Sequence, residues 1–514
     1  MPDSSAPGPE ETPSPLEPGS AGENSAPEPR TRRTRNLVIG GAVVGVLALG
    51  GAGAYAYTAL SGGGAQPHDV LPGNALAYAR VDLDPSAGQK VEILRLLQKF
   101  PDLKDSIGDE NADLRELFIK NTFGEDCDVD FAADVEPWLG QRVGMALLSE
   151  PLEPVIAVQV DDETKARAGV AQLTECSDDE TSAIAFLDGY AIVGPEQATV
   201  DAAVAGAKRA PLGEKAEFAQ ALDSIGDQGI ASGWMDYGAI MSHPDFEGLL
   251  AEGAQASGQP PVEIPEMMSE LGAVTLVVRA ESSAIELRGT AEGSGNIYGD
   301  STLDVADVPD STVFAAGSAA SEEFDGWYES MMTESLATAG IDEQTAAEFE
   351  TTMGVSLEEI FSLFASGPLL TVGERGLADM GGFTGPESVG SLDVALRTHG
   401  DQAELRDIHE RLAEAAAMLG VELVVEDIEG GVALATAPSA LEAGAGLTST
   451  EAFRSVVPFD TVTSVSYVDF DKLQPVIEVF AEGDEAVVKN LEPLRALGAS
   501  ASGDEFSLRL SFND

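Results

Sequence analysis

Residues 36–60 restrict the fold most, because this stretch of about 25 residues contains no charged side chain. At ~1.5 Å per residue, a helix of that length crosses the ~30 Å hydrocarbon core of a bilayer with some tilt. A basic cluster comes directly before it and consists of Arg30, Arg32, Arg33 and Arg35. Because such residues stay on the cytoplasmic side, the sequence predicts a single-pass protein of the cell membrane. Its N-terminus would be cytoplasmic and its C-terminal body extracellular.

Residues 1–35 form a separate region that is rich in Pro, Glu, Ser, Gly and Ala. They offer too few large apolar side chains to bury, so we expect a disordered cytoplasmic tail with a basic end. Residues 61–69 would be a flexible tether between membrane and body. A cleaved signal peptide is the alternative to an uncleaved transmembrane helix at 36–60.

Small residues form one stripe along the predicted transmembrane helix. They follow one another at i, i+4, i+7 and i+11, and they are Gly41, Gly45, Ala48 and Ala52. Such stripes let two helix backbones approach closely in lipid. They therefore suggest a homodimer that forms through the anchor.

The acidic balance of the chain narrows the choice of partners. Its 28 basic and 89 acidic side chains give a formal net charge of −61. A surface of that sign repels nucleic acid and anionic polymers, so we expect no nucleic-acid partner. It would also concentrate cations without needing a shaped site. Hydrophobic residues make up 43% of the chain, which is enough for a sizeable core.

The chain contains two cysteines, Cys127 and Cys176. Outside the cytoplasm they would meet oxidising conditions, so we expect a disulfide between them. It would close a loop of about 50 residues, which corresponds to about 4 kcal/mol of chain entropy. Two buried thiols that never meet are the alternative.

The predicted extracellular body contains the same order of predicted strands and helices twice. Asp188-Gly189 in the first copy and Glu429-Gly430 in the second each separate two apolar runs, which is typical of a β-hairpin. A later strand ends at Asp236 in the first copy, and its counterpart ends at Asp469 in the second. The order of predicted strands and helices between these landmarks also agrees. We therefore infer an internal duplication.

The duplication sets the predicted domain boundaries. Repeat 1 would occupy residues 70–291 and repeat 2 residues 303–514, with a glycine-rich linker at 292–302. Many short strands joined by hairpins, with helices between some pairs, indicate the α+β class. Each of the two tandem repeats would be a mainly antiparallel sheet with helices.

One acidic pattern resembles the start of a calcium-binding loop, because Asp126, Asp128 and Asp130 alternate. Such a loop needs Gly at its sixth position and Glu at its twelfth, where this chain has Phe131 and Pro137. A looser cation site that also uses residues 178–180 is the alternative to a solvated acidic loop.

The remaining motifs give no catalytic, cofactor-binding or metal-binding residue. Asp236 and Asp469 each precede a predicted helix, so we expect them to cap it rather than to form a carboxylate pair. His399 and His409 flank a polar turn and a charged helix, where surface placement is expected. The chain contains no nucleophile elbow, no His-Glu-x-x-His motif and no Walker loop. We therefore do not expect an enzyme.

One stretch near the start of the body resembles a known family. Its motifs are Leu71-Pro72, Ala77-Tyr78, Val81-Asp82-Leu83-Asp84-Pro85, Gly88-Gln89-Lys90 and Phe100-Pro101. In these residues the chain resembles the domain-of-unknown-function 3352 family of high-GC Gram-positive bacteria. The resemblance implies a disordered N-terminal tail, one membrane span and an extracytoplasmic body, and it implies no catalytic or binding residue.

Together these patterns predict a membrane-anchored, extracytoplasmic binding or scaffold protein of the bacterial envelope. A crevice between the repeats, or the concave face of a curved sheet, would hold an apolar or peptide ligand. A ligand sensor that signals through dimerisation of the anchor is the first alternative. An envelope hydrolase without a recognisable motif is the second.

Overall fold

The computed structural model describes residues 65–83, 87–100, 113–123, 129–176, 183–226, 229–246, 248, 271–321, 343–378, 386–442, 444–481 and 484–513. The strands of these residues form one antiparallel sheet of sixteen strands. The strands of the first half are β1 (Ala75–Asp82), β2 (Leu139–Leu148), β3 (Pro154–Val160), β4 (Ala183–Leu187), β5 (Tyr190–Gly194), β6 (Ala231–Asp236), β7 (Ala273–Glu281) and β8 (Ala284–Ala291). The strands of the second half are β9 (Thr312–Ser318), β10 (Leu369–Gly373), β11 (Val394–His399), β12 (Val424–Ile428), β13 (Gly431–Ala435), β14 (Ser464–Asp469), β15 (Leu494–Ser502) and β16 (Glu505–Phe512).

The α-helices of the same residues lie mostly between the strands. In the first half they are α1 (Ala87–Leu97), α2 (Leu114–Phe123), α3 (Glu163–Cys176), α4 (Gln197–Arg209), α5 (Ala216–Ile225) and α6 (Tyr237–Met241). In the second half they are α7 (Glu343–Met353), α8 (Leu357–Ala365), α9 (Gln402–Met418), α10 (Glu451–Val456), α11 (Phe470–Phe480) and α12 (Glu485–Leu491).

The sheet has the same strand order in both halves when it is followed inward from each outer edge. The first half runs β4-β5-β3-β2-β1-β6-β7-β8, and the second runs β12-β13-β11-β10-β9-β14-β15-β16. Strands β8 and β16 lie side by side at the centre, in antiparallel register from Glu505↔Thr290 to Ser511↔Ala284. The prediction of two tandem repeats, each with a sheet of its own, is therefore wrong, because the strands form one continuous sheet.

The pairing of β8 with β16 has a simple physical cause. Without it, each of these strands would be the edge of a smaller sheet, with a row of unpaired N–H and C=O groups. Pairing satisfies both rows at once. Residues 292–302, which follow β8, pack against the turn between β15 and β16, where the Gly295 N–H donates to Asp504 Oδ1 at 2.7 Å.

The predicted single-pass anchor is not supported by the structure and is withdrawn, together with the predicted localisation in the cell membrane. Among the described residues, no helix is long and apolar enough to span a bilayer. The longest α-helix of this part of the chain, α9, has 17 residues, and several of its side chains are charged, whereas a span needs ~20 apolar residues. The segment at 36–60, its glycine and alanine stripe and the preceding arginines lie outside the described residues.

The predicted disulfide between Cys127 and Cys176 is also not supported, because the part of the chain that the structure describes contains no disulfide. Cys127 lies outside the described residues. The backbone of Cys176 forms the C-terminal end of α3.

The two faces of the sheet differ in what covers them. We call inner face the one that carries Tyr78, Trp234, Thr275, Ser507 and Tyr467, which the strand registers place on the same side. In the first half, α4 and α5 pack against it through side chains such as Val200, Ala203, Phe218 and Leu222. In the second half, Phe453 and Val456 of α10 do the same. The hydrophobic core therefore lies mainly between the inner face and these helices.

The opposite face, which we call the outer face, is covered only in parts by the described helices. Near the outer edge of the first half, α2 and α3 pack on it through residues such as Ile119, Ala166 and Leu173. Near the outer edge of the second half, α8 and α9 pack on it through Leu363, Leu405 and Ile408. Helices α1, α11 and α12 cover one end of the central strands through Leu96, Phe100, Phe470 and Leu491.

Candidate ligand-binding surface

The strand registers place six outer-face side chains in one line across the centre of the sheet. We call this line the central row, and it consists of Leu287, Leu508, Ala499, Ser466, Ala316 and Leu370. It crosses β8, β16, β15, β14, β9 and β10 in that spatial order. With neighbouring strands ~4.8 Å apart, the central row is about 24 Å long.

Burial along the central row is the reverse of what a sheet normally shows. On β16, Leu508 is 36% exposed, whereas its neighbour Ser507 is only 2% exposed. On β10, Leu370 is 39% exposed, whereas Thr371 is 3% exposed. Large apolar side chains are therefore presented outward from the middle of the sheet, while hydroxyl groups are buried on the inner face.

The rows on either side of the central row are also mainly apolar. One of them consists of Ala280, Ile285, Leu510, Leu497, Val468, Phe314, Val372 and Val394. This row lies towards α1 and α11, which pack on several of its members. The other row consists of Leu276, Gly289, Phe506, Ala501, Ser464 and Ser318. The central row and this second row together form the candidate site, and we call them the open apolar surface.

The charged side chains of the central strands lie on the inner face instead, where they form ion pairs. Arg509 forms ion pairs with Glu281 and, at 3.7 Å, with Glu286, and Arg288 lies 2.6 Å from Glu505. Glu286 is only 4% exposed. Buried charges of this kind are tolerated because they are paired. The outer face is thereby left without a charged side chain in the three central rows.

Helices border the open apolar surface on three sides. Helices α2 and α3 stand over the strands on one side, α8 and α9 stand over those on the other, and α1 and α11 line one end. The only polar side chains in the surface are the hydroxyls of Ser466, Ser464 and Ser318. Leu508 and Leu370 are exposed in this surface, and Leu287, Leu276 and Phe506 are half-buried. Apolar side chains grouped on an open face often mark a site of interaction. The arrangement can hold a hydrocarbon, and its two rows carry no charged side chain that could act as an acid or a base.

A separate cleft of about 580 Å³ lies in the first half, between the loop before β1 and helix α4. Its lining combines apolar residues with Glu150, Arg209, Glu214 and Lys215. Lys215 is already occupied, because its Nζ lies 4.6 Å from the centre of the Trp234 ring and 3.8 Å from Asp236. The positive charge of Lys215 is therefore already engaged by its neighbours, and we place the candidate site on the open apolar surface instead.

Several predicted local features are confirmed. Asp236 caps α6, accepting from the Ala239 N–H at 3.0 Å, and Asp469 caps α11, accepting from the Lys472 N–H at 3.1 Å. Asp188-Gly189 forms the predicted two-residue hairpin turn, in which both residues have positive φ angles of 47° and 82°, as a type I′ turn requires. These aspartates therefore act in local structure.

The predicted acidic loop is described only in part. Asp130 caps the short helical turn Phe131–Val135 by accepting from the Ala133 N–H at 2.9 Å. Asp126, Asp128 and residues 178–180 lie outside the described residues. Within the described ranges, no group of three or more His, Cys, Asp or Glu side chains is arranged to hold a metal ion.

The prediction of a surface position for His409 is wrong. Its side chain is fully buried on α9, beside Leu405 and Ile408. The buried stripe of α9 is wide enough to include position 409 because it lies four residues after Leu405. Burial lowers the pKa of His409, with a smaller opposing contribution from the Leu405 backbone.

Sequence reasoning did not find the open apolar surface. A signal was present in β16, where Phe506, Leu508, Leu510 and Phe512 alternate with polar residues. Such alternation indicates which side chains share a face. The alternation does not indicate which face of the sheet the helices cover. Because large apolar side chains are usually buried, the sequence alone would place these leucines in the core.

Comparisons with known proteins add little to this geometry. No protein-family model and no curated protein match the chain. Among solved structures it is similar to crystal form I of TP0453, at 12% identity over 48% of this chain and 83% of that chain, with a TM-score of 0.23. Crystal form III of TP0453 gives the same identity and TM-score over 44% of this chain and 79% of that chain. A likeness of this degree carries no argument, and membership of the domain-of-unknown-function 3352 family stays a prediction.

Proposed function

We propose that the protein is a non-catalytic binding protein for single lipid molecules, whose hydrocarbon chains lie on the open apolar surface. The observation that carries the proposal is the outward exposure of Leu508 and Leu370 in the middle of the sheet. Burying hydrocarbon against these side chains is favourable at about 25 cal/mol per Å² of apolar area. The central row, at about 24 Å, is long enough for an extended acyl chain.

A hydrocarbon chain fits this surface better than a peptide does. A peptide that lay across the central row would take its N–H and C=O groups out of water, and each unpaired group costs about 1–3 kcal/mol. The surface offers only the hydroxyls of Ser466, Ser464 and Ser318 as partners. The backbone groups of the central strands are already engaged in the sheet. An acyl chain has no polar groups to satisfy.

Charge and shape argue against two other occupants. A second copy of the chain would bring another formal charge of −61 to the surface, and the two copies would repel each other. The plane of a bilayer would first meet the helices that border the surface on three sides. A single lipid can lie between these helices. The same negative charge favours a lipid with an uncharged headgroup.

No observation favours the alternatives of a ligand sensor or an envelope hydrolase. The sensor requires dimerisation through an anchor that the structure does not support. The hydrolase requires a reactive constellation, and the open apolar surface contains no charged side chain. A binding role without chemistry is what its composition supports best.

The test uses the uncharged fluorescent probe N-phenyl-1-naphthylamine, titrated into wild-type protein and into Leu508→Asn, Leu370→Asn and the double variant. Full burial of a leucine contributes about 1.5–3 kcal/mol, and 36–39% of these two side chains is exposed for a ligand to cover. Each substitution should therefore weaken binding by about 0.5–1 kcal/mol, or about two- to fivefold, and the double variant by about 5- to 30-fold.

Leu419→Asn is the matched control, because Leu419 is 56% exposed but lies after α9 and outside the open apolar surface. Its dissociation constant for the probe should equal that of the wild type. Circular dichroism should show that all variants keep their strand content. Failure of the wild type to bind the probe, or equal affinity in the double variant and the wild type, would overturn the proposal.

A further inference from the structure

A second site lies in the second half of the molecule, on the inner face of the sheet and thus on the opposite face from the proposed lipid surface. A cavity of about 320 Å³ opens at the end of β11. Arg397 and His399 reach it from β11, Glu429 from the turn between β12 and β13, and Asp304 and Asp307 from the segment before β9. Charged groups of both signs therefore surround one small cavity.

Arg397 is the buried member of this group, with only 5% of its surface exposed. Its Nη1 donates to Thr371 Oγ1 at 3.0 Å, and its Nη2 donates to the carbonyl oxygen of Ala440 at 3.0 Å. Both acceptors are uncharged. A guanidinium has five N–H donors, and among the described residues the others on Arg397 have no acceptor and no carboxylate at ion-pair distance.

A buried charge without a counter-ion is unfavourable. Burial accordingly lowers the pKa of Arg397, and Asp307 and Asp304 oppose that effect only from a distance. A negatively charged group that entered the cavity would supply the missing counter-ion. The free N–H donors of the guanidinium could bind a carboxylate in two-point fashion.

The rim of the cavity is negatively charged, opposite in sign to Arg397. Asp304, Asp307 and Glu429 are all exposed there, and Asp304 is held in place because the Ala306 N–H donates to its Oδ1 at 2.9 Å. These three carboxylates, and the formal net charge of −61, repel a simple anion. A simple cation would be attracted to the rim but would leave Arg397 without a counter-ion.

We propose that this cavity binds a small zwitterion, a free amino acid or a short peptide, with its carboxylate on Arg397 and its ammonium group at the rim carboxylates Asp304, Asp307 and Glu429. Only a ligand with both charges gives a counter-charge to Arg397 and to the rim carboxylates at the same time. His399 lies on the same face of β11, and its Nδ1 is 3.5 Å from the carbonyl oxygen of Gly367, so its ring lines the side of the cavity.

The experiment compares matched ligands by isothermal titration calorimetry. Glycine and glycylglycine carry both charges, N-acetylglycine carries only the carboxylate, and glycinamide carries only the ammonium group. We expect at least one of the two zwitterions to bind at least about tenfold more tightly than either single-charge analogue. Which of the two binds better distinguishes an amino-acid site from a peptide site.

Rim variants avoid the risk that a change at the buried arginine prevents folding. Asp304→Asn and Asp307→Asn should each weaken zwitterion binding about two- to fivefold, as expected for partly exposed ion pairs. Asp460→Asn, at an exposed aspartate outside the cavity, should leave binding unchanged. The proposal fails if neither zwitterion binds, if a single-charge analogue binds as tightly, or if the rim variants bind like Asp460→Asn.

Discussion

Gly289 leaves no room for a Cβ atom between β7 and β8, so replacing it by alanine tests how tightly the centre of the sheet is packed. A Cβ atom at position 289 would lie 2.2 Å from the carbonyl oxygen of Thr275 and 2.6 Å from Cζ of Phe506. Carbon and oxygen atoms normally stay about 3.3 Å apart, so the backbones of β7 and β8 must separate by roughly 1 Å. The phenyl ring can rotate away, but the carbonyl group belongs to the hydrogen-bonded ladder and cannot.

We expect Gly289→Ala to lower the free energy of unfolding by about 3 kcal/mol. Overpacking contributes about 1–3 kcal/mol, and weakened ladder hydrogen bonds contribute about 1 kcal/mol more. With an m value of about 3 kcal/mol/M, the midpoint of urea unfolding should fall by roughly 1 M. The change in tryptophan fluorescence reports the transition, because Trp234 is buried in the first half.

Gly390→Ala is the matched control for this prediction. A Cβ atom at position 390 would meet no atom of the described residues within 4 Å, and the backbone there does not have a positive φ. Its midpoint should stay within about 0.2 M of the wild type. Equal midpoints for Gly289→Ala and Gly390→Ala would refute the reasoning from close approach.

Two further predictions concern α8 and α9. Ser356 and Glu359 form a capping box at the start of α8, with hydrogen bonds of 3.1 Å and 2.9 Å; Ser356→Ala should lower the free energy of unfolding in urea by about 1 kcal/mol, whereas Ser362→Ala on the same helix should not. Burial lowers the pKa of His409 below its ordinary 6.5, so the unfolded chain takes up a proton that the folded chain refuses. Wild-type stability should therefore fall relative to His409→Leu as the pH drops from about 7 to 5, and a constant difference across that range would contradict the prediction.

Features that depend on a few neighbouring residues could be predicted from the sequence. The turn at Asp188-Gly189 follows from the positive φ angles that a type I′ turn needs, and the caps at Asp236 and Asp469 follow from a carboxylate placed just before a helix. In each case the responsible atoms lie within three residues of one another. Local chemistry was therefore enough.

The single sheet could not be predicted in the same way. The pairing of β8 with β16 joins residues such as Leu287 and Leu508 that are far apart in the chain, and it is made by backbone groups that every residue has. A duplicated order of strands and helices is equally consistent with two separate sheets and with one continuous sheet. Whether the two sheets join depends on how their edge strands pair, and no local sequence pattern indicates that pairing.

The candidate sites could not be predicted from the sequence for a related reason. Leu508 and Leu370 look like ordinary core residues until the positions of the helices are known. Arg397 looks like an ordinary charge on a polar strand, although it lies beneath the segment that contains Asp304 and Asp307. Burial is a property of the assembled fold, so the roles of these side chains become visible only there.

The place of β16 at the centre of the sheet has a consequence during protein synthesis. The first eight strands can assemble as soon as they emerge from the ribosome, but β8 must then wait for a partner that is translated last of the described strands. At roughly 5–20 residues per second, the intervening stretch of about 210 residues takes on the order of 10–40 s. During that interval the nascent chain exposes an unpaired strand edge next to apolar leucine side chains. We therefore expect a chaperone to bind it during synthesis.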